Sequence, residues 1–201
     1  MGAYYYLVSQ LPSLAYGQKP PMLPEAFKEL AKPLLNADDA ALLDVISLEP
    51  AGLSSANQAP PCGSDFIDQW REWERALRLN LARRRAVKVK RENAALAEPP
   101  VVPALAATAA QGAVAAASPL EAEIFLDKAR WSAIESLQGV DYFNRNTVFA
   151  YLLKLLILER NASFQTETGF SEYKSLYASI LGSVAVFDGV QTRASPAGES
   201  K

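Results

Sequence analysis

Residues 65–93 read DFIDQWREWERALRLNLARRRAVKVKREN, a stretch with neither Pro nor Gly. It predicts one helix of about 28 residues, roughly 40 Å long at about 1.5 Å per residue. Ser64 or Asp65 can cap its first free N–H groups, and Asp65 and Asp68 place negative charge at the positive end of the dipole. Phe66, Trp70, Trp73, Leu77 and, off to one side, Leu81 recur at spacings of three and four, an apolar stripe that needs a partner. The far end carries Arg83, Arg84, Arg85, Lys88, Lys90 and Arg91, the sign that a helix C-terminus prefers.

On the N-terminal side, Tyr4–Leu11 is an aromatic, apolar run closed by Pro12 and expected to be a short buried helix. Gly17, Pro20, Pro21 and Pro24 punctuate a loop. PEAFKELA starts a helix with Pro24 in its first position and stops or bends at Pro33. ADDAALLDVISL gives another, with Asn36 or Asp38 as cap and Leu42, Leu43, Val45 and Ile46 inside. Neither is long enough to stand alone, so both should lean on the long helix.

Beyond Asn93 the composition changes. AALAEPPVVPALAATAAQGAVAAAS is rich in Ala and Pro and lacks aromatics, and its methyl groups bury little surface. It reads as a tether over 94–118, with a weak helix over Ala104–Ala117 as the alternative. Ser118-Pro119-Leu120-Glu121 is a capping box, starting a helix with Ile124, Phe125, Trp131, Ile134 and Leu137 inward and Gly139 at its end. Asn144 or Asn146 then caps TVFAYLLKLLILER, which is apolar all round and so central in a bundle; it is too short to span a bilayer. Ser171 opens a last amphipathic helix with Tyr173, Leu176, Tyr177, Ile180 and Leu181, and Val184, Val186 and Phe187 follow it. The chain reads as an all-α helical bundle: an N-terminal segment 1–93 ending in the long helix, the linker 94–118, a C-terminal helical core 119–190, and a loose tail 191–201.

Half of the 201 residues are hydrophobic and the net charge is −2, so any attraction to nucleic acid or anionic lipid must be local. The first charge is Lys19, so the start does not read as a signal peptide, and Tyr6 argues against a myristoylation signal. The chain has no His, and its single Cys62 lacks the partner that a thiol nucleophile needs. No nucleotide-binding, hydrolase or zinc motif is present. Asp38 with Asp39 and Glu121 with Glu123 sit in first helical turns, where they serve the dipole; Asp127 with Arg130 is a same-helix pair. No catalytic, cofactor or metal residues are expected. The candidate partner-binding residues are Arg83, Arg84, Arg85, Lys88, Lys90 and Arg91, read as a solvated helix end, a dock for an acidic protein, or a nucleic-acid contact. Without an interleaved aromatic to stack on bases, the last reading is the weakest.

YYYLVSQLPSL, DFIDQWREWERALRLNLARRRA, LEAEIFLDKARWSAIESL and FNRNTVFAYLLKLLILER together resemble a bacterial family without assigned activity, encoded among V-type ATP synthase genes. The C-terminal part is distantly similar to the C subunit (d in eukaryotes) of V- and A-type ATPases. Ala150, Tyr151 and Lys154 stand at that subunit's Ala-Tyr-x-x-Lys segment, while Leu155 replaces the acidic residue that commonly follows. The resemblance implies a non-catalytic structural or assembly subunit at the cytoplasmic face of a rotary ATPase, with central stalk and rotor ring as partners and the membrane reached only through the complex. A stand-alone helical adaptor is the competing reading.

Overall fold

The computed structural model describes residues 2–48, 61–90 and 104–164. Among these it has seven α-helices and no strand: α1 Gly2–Gln10, α2 Pro24–Ala31, α3 Ala37–Val45, α4 Asp65–Lys88, α5 Ala104–Ala115, α6 Pro119–Gln138 and α7 Arg145–Ser163. A single 3-10 turn, Lys32–Leu34, follows α2 where Pro33 cannot continue an α-helix. Met1–Asn161 form one compact unit; of the second, Ala162–Lys201, residues 162–164 are described. The expected helix from Ser171, the segment Val184–Phe187, the tail, and 91–103 of the linker region lie outside the described residues.

The core is built around α7. Asn144 Oδ1 accepts from the Thr147 N–H at 3.1 Å and opens the helix. From Val148 to Leu158 it buries Phe149, Tyr151, Leu152, Leu153, Leu155 and Ile157 on every side. Each fully buried aliphatic side chain there is worth about 1.5–3 kcal/mol. Phe149 meets Phe66 of α4 with ring centroids 6.5 Å apart, and Tyr151 meets Phe27 of α2 at 5.0 Å. The Tyr151 hydroxyl donates to the Pro12 carbonyl at 3.0 Å, and burial pushes its pKa up to about 12. Lys154, the one charge in the apolar run, lies 5.1 Å from the Trp131 ring centroid and pairs with Glu135 at 3.2 Å. No helix among the described residues is long and apolar enough to cross a membrane.

The stripe on α4 is buried as its spacing predicts: Phe66, Trp70, Trp73, Leu77 and Leu81 are all in the core, and the two tryptophans stack at 5.7 Å. The start of the helix differs. The Ser64 hydroxyl makes no capping bond; instead the Asp68 carboxylate reaches back to the Cys62 N–H at 3.1 Å. Asn36 caps α3 through the Asp39 N–H at 2.7 Å, and Leu43 and Ile46 are buried while Val45 is exposed. α1 is helical, and among its described side chains only Leu7 is fully buried; Tyr5 and Tyr6 face outward.

The largest departure is at 104–115. In place of the tether, the alternative of a helix over Ala104–Ala117 is what forms: α5 packs against both α4 and α6. Ala106, Ala109, Ala110 and Ala113 form its buried face. Its methyl groups bury little by themselves, yet a small-residue helix approaches closely and removes the larger surfaces of its neighbours from water as well. Phe125 of α6 lies directly over Gly112, where even an added Cβ would come within 2.5 Å of the ring. α6 buries Trp131 and Ile134 as expected, with Leu137 packed against the core, but its first turns differ. Its buried face is Leu126, Asp127, Arg130, Trp131, Ala133 and Ile134, while Ile124 and Phe125 are partly exposed. Ser118 Oγ caps it through the Glu121 N–H at 3.1 Å, and Gly139 ends it with φ +77, a left-handed conformation that glycine adopts freely.

Candidate functional site

Past Leu81, α4 leaves the core. Arg83 and Arg84 are half-buried, Arg85, Lys88 and Lys90 are exposed, and Arg91 lies outside the described residues. The helix stops at Lys88 rather than at residue 93. Val87 and Val89 are β-branched and favour helix poorly, and Lys90 takes a left-handed φ of +54 that closes the last turn. Arg85 and Lys88 in that turn complement the helix dipole.

The basic end does not stand in open solvent on all sides. Lys88 Nζ donates to the Val114 carbonyl at 3.4 Å, an exposed contact between the C-terminal turns of α4 and α5, which the packing of the two helices brings side by side. Between them lies an open groove of about 470 Å³, lined by Arg83, Arg84, Val87, Lys88, Gln111, Val114 and Ala115. Arg84 Nε is buried and finds no acceptor among the described residues.

Halfway along α4 a second charged group has a buried centre. Glu74 takes both nitrogens of Arg130 at 3.1 Å, in a fork, and Arg78 at 2.8 Å. Arg130 also donates to Asp127 at 2.7 Å, and Arg160 of α7 lies 3.7 Å from the same carboxylate and 2.5 Å from Glu123. Arg78 further donates to the Leu48 carbonyl at 2.9 Å. Glu74, Asp127 and Arg130 are buried, at 7%, 0% and 5% exposure. Burial pushes the Asp127 carboxyl above its ordinary range, against the pull of Arg130 and Arg160. The Arg130 guanidinium shifts upward, since Glu74 and Asp127 outweigh its desolvation. Asp127 Oδ2 has no hydrogen-bond partner among the described residues.

The pair Asp127 and Arg130, read as an ordinary same-helix contact, is therefore part of a cluster joining α4, α6 and α7. Glu74 was the residue that sequence reasoning passed over. It lies four residues after Trp70 and three before Leu77, on the apolar stripe, and a carboxylate at such a position requires a buried cation. Arg130 likewise falls on the core face of α6.

The remaining candidates are absorbed locally. Asp39 is buried; the Tyr4 hydroxyl and Asn36 donate to its side chain, and Arg145 lies 3.7 Å away. Burial first, then Asp39, raises the Tyr4 pKa to about 12. Burial also pushes the Cys62 thiol up, which keeps it protonated. The Glu121 carboxylate accepts from the Ala117 N–H at 3.2 Å. No group of carboxylates and thiols that could hold a metal ion occurs among the described residues.

Fold and site define an all-α protein whose internal ionic chemistry ties helices together and which gathers cations at the end of α4. A family model described as "Protein of unknown function (DUF2764)" matches residues 56–181, and the chain belongs to this family. The match runs from just before α4 to beyond α7, so it includes both the charge cluster and the groove. No curated protein and no solved structure matches the chain.

Proposed function

We propose that the protein is a non-catalytic structural or assembly subunit of a V-type ATP synthase, docking on an acidic component of the central stalk or rotor at the cytoplasmic face. The observation that carries the docking part is the course of α4. Its stripe from Phe66 to Leu81 is locked in the core, and the same helix then carries Arg85 and Lys88 to the outside, with Arg84 half-buried beside them and Lys90 exposed just past its end. Charges so placed are held in position by the core without being consumed by it, as electrostatic docking requires. The rotary complex as partner is supported by the resemblance of the N-terminal, α4 and α6–α7 stretches, with Ala150, Tyr151 and Lys154 at the recurrent positions.

A tagged copy purified from its host at low salt and low detergent tests the reading. ATP synthase subunits should come with it and should be shed as salt rises, because exposed pairs are screened within about 10 Å at 0.1 M. The triple change Arg84→Glu, Arg85→Glu and Lys88→Glu should release them while the melting transition stays in place. A pull-down that contains no ATP synthase subunit would remove the complex from the proposal.

A further inference from the structure

The groove between the ends of α4 and α5 has a mixed chemistry. Val87, Val114 and Ala115 form an apolar floor, and Arg83, Arg84 and Lys88 stand along the α4 side. Val87 is 65% exposed and Val89 beyond it 62%, large fractions for aliphatic side chains with charged neighbours. Arg84 and Lys88 are four residues apart and so form one ridge on the helix surface. Buried Arg84 Nε has a proton to donate and no acceptor among the described residues.

We infer that this groove takes an amphipathic helix of a partner protein, one that sets small aliphatic side chains on the valine floor and carboxylates against Arg84 and Lys88. The inference rests on the docking reading above and specifies the partner's chemistry. A furrow between two helices accepts the ridge of a third, and helix-in-groove recognition uses apolar anchors at intervals of three and four. On such a helix, carboxylates four residues apart repeat the spacing of Arg84 and Lys88, so that each cation meets one of them. A nucleic acid backbone would satisfy the cations and leave Val87 and Val114 uncovered. The floor therefore favours a protein.

The test uses the full chain and a fluorescent helical peptide of Glu, Leu and Ala with carboxylates four apart, read by anisotropy. The controls are a scrambled peptide of equal composition, the peptide with Gln for Glu, and duplex RNA. The amphipathic peptide should bind about tenfold or more tightly than either peptide control and than RNA. Lys88→Glu and Val87→Asp, both at exposed positions, should each weaken it about tenfold with the thermal transition unchanged. Equal binding of the scrambled peptide or of RNA would overturn the inference in favour of a general polyanion surface, and absence of peptide binding would also overturn it. Peptide binding by a protein that brings down no ATP synthase subunit would keep the groove and remove the complex. Normal co-purification by Val87→Asp and Lys88→Glu variants would keep the complex and remove the groove.

Discussion

Helices α7 and α5 are both buried, and they are buried by opposite means. α7 fills space with Phe149, Leu152, Leu153, Leu155 and Ile157, whereas α5 gives up volume, offering Ala106, Ala109, Ala110 and Ala113 to its neighbours. One helix belongs to the core through its size and the other through its closeness. The two should therefore fail in opposite directions, α7 by subtraction and α5 by addition.

α6, which contacts α5 and reaches α7 through Lys154, Glu123 and Arg160, should give the largest loss. Arg130→Ala removes the cation shared by Glu74 and Asp127, leaving them with the half-exposed Arg78 and the more distant Arg160, and should cost about 3–5 kcal/mol in guanidinium unfolding. A loss below about 1 kcal/mol would mean that water reaches the cluster. Next, Leu152→Ala in α7 should cost about 2–5 kcal/mol by leaving a cavity. Ala110→Leu in α5, an addition, should cost about 1–3 kcal/mol by forcing α5 away from its neighbours. If that addition were neutral by the same unfolding measurement, α5 would be a loose cover and the contrast with α7 would collapse. Ser118→Ala removes the cap between α5 and α6 and should cost about 1 kcal/mol.

The smallest effect expected is a pH dependence. Asp127 titrates above its ordinary range when folded, so the folded state holds the proton more tightly than the unfolded chain does. Its contribution is favourable below the unfolded carboxylate range and is lost as pH rises through the raised folded value. Asp127→Asn should abolish that component, so the stability difference between wild type and variant should shift against wild type as pH climbs through this window. Parallel curves for the two proteins from acid to neutral pH would rule the linkage out.

Much of the bundle is legible in the residues. The α4 stripe, the Ser118–Glu121 cap, the Gly139 stop and the all-apolar α7 are each local signals with one physical meaning. What was illegible is relational. α5 looks like a tether because alanine reports nothing about the size of what covers it; Phe125 over Gly112 is visible only in three dimensions. On α6, Trp131 and Ile134 are legible, but reading Asp127 and Arg130 as no more than a same-helix pair leaves their burial unseen, and Ile124 and Phe125 stand inward in the expectation although both are exposed. Pairing the off-pattern Glu74 with the off-pattern Arg130 would have corrected both. The groove needs two helices whose adjacency no sequence spacing encodes.

The bond from the Tyr151 hydroxyl to the Pro12 carbonyl joins residues 139 apart in the chain. A ribosome making about 5–20 residues per second needs on the order of 10 s to travel between them. For that interval α1 and the loop after it have no α7 to rest on, although α2, α3 and the first turns of α4 are already made. α1 and its loop are thus secured long after they are made, and a message truncated before α7 would release a chain whose Phe27 and Phe66 have lost the rings opposite them.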